Sequence, residues 1–263
     1  LLLDQDAAAR EAGLARIYAD LGFQQRALVE GWKSLNYDPS NYSAHRFLAD
    51  SYSALPRHEI ARVSELLQSQ LLQPLNIAPV QPHLSEGSLF VVSGGGPADS
   101  SFNEFNPMFE RNRLALQASG VLGQQSTAGG EVAGSMLANN VSASVGYYGF
   151  QTDGFRENND LKDTIFNIFT QVSLSPKTSV LAEYRDRKRE NGDLQLRFFG
   201  DSYSYNRENF DTQLLNVGFR HSFSPGSDLI GVYTYQKSED KRHIVVFPDF
   251  WTIDLNTDAD ASG

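Results

Sequence analysis

The sequence predicts a segregated α+β chain, with helical repeats first and an antiparallel transmembrane β-barrel, incomplete as the chain stands, after them. Three observations predict it. Apolar residues recur with helical period from Asp4 to about Leu72, and with period two from Arg113 onward. The alternating segments divide into a greasy face and a polar face. Their connections are tight turns and longer polar loops in strict alternation, the way an outer-membrane barrel joins its strands.

In residues 1–73, Ala, Leu, Glu, Gln and Arg dominate, and Gly22, Asp38-Pro39 and Pro56 divide the pattern into helix pairs. Leu14, Ala15, Tyr18, Gly22, Ala27 and Pro39 fall on the spacing of a tetratricopeptide repeat of about 34 residues; Leu48, Ala49, Tyr52 and Ala61 lie one period further on. Small Ala15, Ala27, Ala49 and Ala61 let paired helices approach closely. Gly31 stands where the template has a large aromatic and Pro56 where it has the turn glycine, so the second repeat reads as distorted or terminal. On this template Arg16, Asp20, Arg46 and Asp50 line the concave groove by which such solenoids hold a partner protein.

Residues 74–110 read as a linker. Pro74, Pro79 and Pro82 end the helices, and Ser93-Gly94-Gly95-Gly96-Pro97 interrupts the chain again, which predicts two separable bodies. The glycine run follows Leu89-Phe90-Val91-Val92 but lacks the downstream Lys-Ser/Thr of a phosphate-binding loop.

Residues 111–263 carry the partial barrel, with seven strands predicted at 113–123, 131–137, 141–150, 164–174, 179–187, 211–223 and 228–236. Val141, Ala143, Val145 and Tyr147 alternate with Ser142, Ser144 and Gly146; Phe166, Ile168, Val172 and Leu174 oppose Asn167, Gln171 and Ser173; Val180, Ala182 and Tyr184 oppose Glu183 and Arg185. In a membrane barrel the apolar set meets lipid. The expected lumen-facing residues are therefore Ser142, Ser144, Asn167, Gln171, Glu183, Arg185 and Arg220. Tyr147, Tyr148, Phe150, Phe166, Tyr184, Phe210, Tyr233 and Tyr235 gather near strand ends as an interfacial girdle. Turns at 138–140, 175–178 and 224–227 and loops at 124–130, 151–163 and 188–210 put the helices on the periplasmic side. Seven is an odd number, where single-chain bacterial barrels have an even one. With Leu1 in place of Met and a strand-like run at Ile244–Ile253 just before the last residues, the chain reads as truncated at both ends.

The net charge of −10 argues against a nucleic-acid partner, which needs clustered Lys and Arg. With no cysteine there are no disulfides, thiolate metal sites or cysteine nucleophiles. His45, His58, His83, His221 and His243 are scattered without metal-ligand spacing, no Gly-x-Ser-x-Gly elbow occurs, and no cofactor motif is evident. Asp153, Glu157, Asp160 and Asp163 miss the calcium-loop spacing. Arg185, Arg187, Lys188 and Arg189 read as a loop root, or as a grip for lipopolysaccharide phosphates.

The run Phe102-Asn103-Glu104-Phe105-Asn106-Pro107-Met108-Phe109-Glu110-Arg111, followed by Tyr148 to Lys162 with its loop Thr152-Asp153-Gly154-Phe155-Arg156-Glu157-Asn158-Asn159-Asp160-Leu161, resembles bacterial proteins that join tetratricopeptide repeats to an outer-membrane barrel. The layout is similar to that of exopolysaccharide export porins, such as those for cellulose and poly-N-acetylglucosamine. The barrel alone is similar to TonB-dependent receptors, but residues 73–110 are too short for their plug domain. The resemblance implies a non-enzymatic outer-membrane pore, for export or uptake of a polar solute or polysaccharide. Its periplasmic repeats would recruit a protein partner. The alternatives are a plug-less receptor-like or adhesion scaffold anchored by its barrel, and a soluble assembly protein.

Overall fold

The computed structural model describes residues 6–53, 59–77, 109–194, 206–224, 227–246 and 251–262. Four helices come first: α1 (Ala7–Asp20), α2 (Gln24–Tyr37), α3 (Tyr42–Ser53) and α4 (Glu59–Leu72). Asp6 caps α1 by accepting the Ala9 N–H at 3.0 Å. After α1 the chain reverses through Gly22, with the Phe23 N–H donating to the Tyr18 carbonyl at 2.8 Å. Fully buried Ala15 and Ala27 let α1 and α2 close on each other, and Phe47 and Leu48 of α3 complete that cluster. His45 joins α3 to Glu65 on α4 and, through Nε2, reaches the Pro39 carbonyl at 2.9 Å.

These are two helical hairpins, not tetratricopeptide repeats. A repeat places residues one period apart in equivalent surroundings, yet Ala27 and Leu48 are fully buried while their counterparts Ala61 and Leu14 are only partly so. The apolar face of α4, where a solenoid would stack its next helix pair, lies instead on the sheet through Val63, Leu67 and Leu71. The template misleads because small residues at close-approach positions suit any helical hairpin.

Eight strands follow: β1 (Arg113–Leu122), β2 (Ala128–Ala138), β3 (Val141–Thr152), β4 (Leu161–Ser175), β5 (Thr178–Asn191), β6 (Arg207–Ser224), β7 (Ser227–Val246) and β8 (Trp251–Ser262). They form one antiparallel meander in which every strand pairs with its neighbours in sequence. The sheet is open: β1 and β8 are its edges and no pairing joins them, so the expected barrel is not formed among the described residues. Alternation reports that each strand has two different sides. An open two-faced sheet writes the same pattern, since only a pairing between first and last strand closes a barrel.

The strands also run further than their apolar alternation. Pairing continues through polar partners such as Lys162↔Glu190 and Lys188↔Asp211, which turns the edges of the expected loops 151–163 and 188–210 into strand. The run Ile244–Ile253 is not one strand: Ile244 lies near the end of β7 and pairs with Ile253 of β8, giving eight strands among the described residues where seven were expected. At the tight-turn end Asn139 takes φ 51°, and its side chain and N–H exchange hydrogen bonds with Asn112 at 2.7 and 2.8 Å, which fixes where β1 begins.

The helices meet the sheet through α4, and the segments that follow α4 and precede β1 also touch. Leu67 and Leu71 of α4 pack with Phe169 and Leu181, and the Phe109 N–H donates to the Asn76 carbonyl at 3.1 Å. Of the expected linker, residues 78–108, including Ser93-Gly94-Gly95-Gly96-Pro97 and Phe102–Met108, lie outside the described residues, as does Pro56.

Candidate functional site: the polar face of the sheet

The strand register sorts side chains into two sets. One inner row runs Ser135, Ser144, Phe169, Glu183, Asn216 across β2 to β6, and the next runs Ser142, Gln171, Leu181, Gly218 across β3 to β6. On this face Asn167 is 0% exposed, Gln171 2% and Glu183 3%; on the other, Ile168 is 47% exposed, Tyr147 50% and Tyr233 51%. A water-soluble sheet does the reverse, burying its apolar side and wetting its polar one. The seven expected lumen-facing residues all fall on the polar face by register.

Glu183 is the centre of that face. The Asn167 amide donates to its Oε1 at 2.8 Å and the Asn216 amide to its Oε2 at 3.1 Å. Three strands are thereby joined through one buried carboxylate, which two charge-assisted hydrogen bonds stabilise. Asn216 was not among the expected residues; its signal was a lone amide between Leu215 and Val217. Arg185 sits one row from Glu183, opposite Asn167. Arg220 lies nearer the tight turns and donates to Asp228 at 3.0 Å.

The expected basic loop root splits between the faces. Arg185, Arg187 and Arg189 share the parity of Glu183, and Lys188 has the opposite one. Arg187 grips Asp163 with two bonds, at 3.1 and 2.6 Å, so these guanidinium groups point away from the apolar side that a lipid phosphate would border. Beyond them the two loops interlock: Arg156 and Asn159 donate to the Asp193 carbonyl at 2.7 and 2.8 Å, and Arg207 donates to Asp160 at 2.8 Å. Asp160, Asp163 and Asp193 are thus engaged by arginine. Among the described residues no cluster of three or more His, Asp or Glu could hold a metal ion.

The aromatic residues divide as well. Tyr147, Phe166, Tyr184, Tyr233 and Tyr235 stand on the apolar face, but Tyr148 and Phe150 turn inward to pack with Leu161 and Ile165. Phe210 takes the inner parity too. Across β1 to β6 the apolar face forms a groove of about 750 Å³ lined by Leu116, Met136, Val145, Ile168, Tyr184 and Leu215. In the helices Asp20 and Asp50 are exposed while Arg46 is buried, so Arg16, Asp20, Arg46 and Asp50 do not make one open groove. Searches of family models, of curated proteins and of solved structures return no match to the chain.

Proposed function

We propose that this chain works in the outer membrane of a bacterium, with its apolar face against lipid and its polar face along an aqueous path for a polar solute or polysaccharide. The observation that carries the reading is the sidedness of the sheet: one face is bare and apolar, while Asn167, Gln171, Glu183 and Asn216 are covered on the other, among apolar neighbours. Soluble monomers rarely expose a contiguous apolar patch above a few hundred Å². On β4 the apolar parity runs from Phe166 to Leu174, roughly 26 Å along the strand, which at the usual tilt of about 35–45° covers roughly 20 Å of the apolar band of about 25 Å that strands present to an outer membrane. Lipid offers no hydrogen bonds, so the backbone groups on the free edges of β1 and β8 need partners in the bilayer.

Reconstitution into vesicles tests this. The protein should fold only with detergent or lipid, as read by heat-modifiable gel mobility, and carry ion current in planar bilayers. Because the chain has no cysteine, a thiol placed at Glu157, exposed in the loop between β3 and β4, should react with impermeant reagents on intact cells while one at Lys177 stays protected. A protein that folds in water without detergent sinks the membrane reading. The anchoring scaffold is the second reading, favoured by α4 lying over the polar face; a protein that folds in vesicles but passes no current, with α4 seated or displaced, decides for it.

A further inference from the structure

We propose that α4 is a removable stopper, seated on an apolar patch at the tight-turn end of the face that carries Asn167, Gln171, Glu183 and Asn216. The inference rests on the pore reading above. The patch is made by Phe169 on β4, Leu181 on β5, Gly218 on β6 and Ile230 on β7, and it receives Val63, Leu67 and Leu71 of α4. Phe169 and Leu181 hold polar-face parity between Asn167, Gln171 and Glu183. They form the apolar cluster of this face that a helix covers; the other, Tyr148, Phe150, Leu161 and Ile165, packs within the sheet.

The fit at the centre is tight. A side chain at Gly218 would place its Cβ 3.0 Å from Leu181 Cγ and 3.1 Å from both Leu71 methyl groups, closer than ordinary contact, so Leu71 or Leu181 would have to give way to it. The contact is also poised to release. Gln70, next to Leu71 and 1% exposed, makes no hydrogen bond through either amide atom in the docked state. Buried amide groups without partners are penalised relative to water, a cost that any motion bringing Gln70 to solvent relieves. An aqueous path along this face is therefore narrowed beside Glu183 while α4 is seated and widened when it lifts.

The test uses the full chain in planar bilayers. In Leu71→Cys/Gly218→Cys, oxidation should lock the helix down and abolish current, and reduction should restore it. Leu71→Asp and Gly218→Val disturb the seat from opposite sides, and either should raise mean current several-fold over wild type, with heat-modifiable mobility confirming the fold. Equal current in the oxidised and reduced pair, or failure of the pair to cross-link, overturns the stopper while leaving the pore intact. If no variant conducts although all fold in vesicles, the pore reading falls and the stopper falls with it.

Discussion

Placing a charge at Ile168 separates lipid from water as the surroundings of the apolar face. Ile168 is 47% exposed, flanked in register by Val145 and Tyr184, one row inside Phe166. In water, Ile168→Arg loses about half of the roughly 1.5–3 kcal/mol that full burial gives an isoleucine. The arginine stem recovers part of it by lying along its neighbours, so the net cost is under about 1 kcal/mol. In lipid the same guanidinium enters hydrocarbon, at roughly 2–4 kcal/mol at the midplane and about 0–1 kcal/mol at the interfaces. At this depth we expect about 2 kcal/mol, on the order of thirtyfold in the folded-to-unfolded ratio. Gln117→Arg, on the exposed polar side of edge strand β1, is the control and should be nearly neutral. Gln171 does not serve, because at 2% exposure a charge there is costly in any surroundings. The assay is urea unfolding from vesicles, read by gel mobility. A stability of Ile168→Arg within about 0.5 kcal/mol of wild type would refute the lipid contact.

Three further outcomes are expected. Glu30 lies between Arg26 at 2.7 Å and Lys33 at 3.0 Å; burial pushes its carboxyl up, but hydrogen bonds with Lys33 and Glu11 and the charges of Arg26 and Lys33 outweigh that and hold it below its ordinary 4.5. Its stabilisation is therefore complete above pH 4.5 and lost as pH falls through the lower folded value; helical circular dichroism titrated into acid should show this loss, and Glu30→Gln should flatten it. Gly154 has φ +75° and a Cβ there would lie 2.2 Å from the Asn159 carbonyl oxygen, so Gly154→Ala should cost about 1–3 kcal/mol and open the interlocked loops to protease, whereas an unchanged cleavage pattern would count against that packing. Glu183→Ala leaves the Asn167 and Asn216 amide groups without their acceptor and should cost about 1–3 kcal/mol for each buried group; an unchanged urea midpoint would show that the clamp adds nothing.

Much of the sheet could be read from the sequence, because side-chain parity is a local property. Ser142, Ser144, Asn167, Gln171 and Glu183 share a face for the simple reason that strands alternate. The tight turns at 139–140 and 176–177 were legible for the same reason. What alternation does not encode is where pairing stops: Asp186 to Asn191 and Arg207 to Gln213 stay in strand through cross-strand partners, although their hydrophobic pattern has ended. Closure was equally invisible, since it depends on which strands meet. The seat of α4 is not legible either, because Phe169 and Leu181 are apolar residues on a face that also carries Tyr148, Phe150, Leu161 and Ile165, and nothing local marks which cluster a helix covers. The helical repeat failed for the opposite reason: its spacing was present, but Leu48 is buried among α1, α2 and α3 while Leu14, on the first described helix, is only partly covered.

The strict meander carries a consequence for assembly. Since every strand pairs only with its neighbours in sequence, no hydrogen-bonded ladder has to wait for a distant part of the chain, and the loop-closure entropy of each step is that of one short connection. The sheet grows one hairpin at a time from either edge. The patch beneath α4 is different in kind, because its residues come from β4, β5, β6 and β7. It does not exist until all four have paired, so the helix, made early in synthesis, is the last element with a place to go.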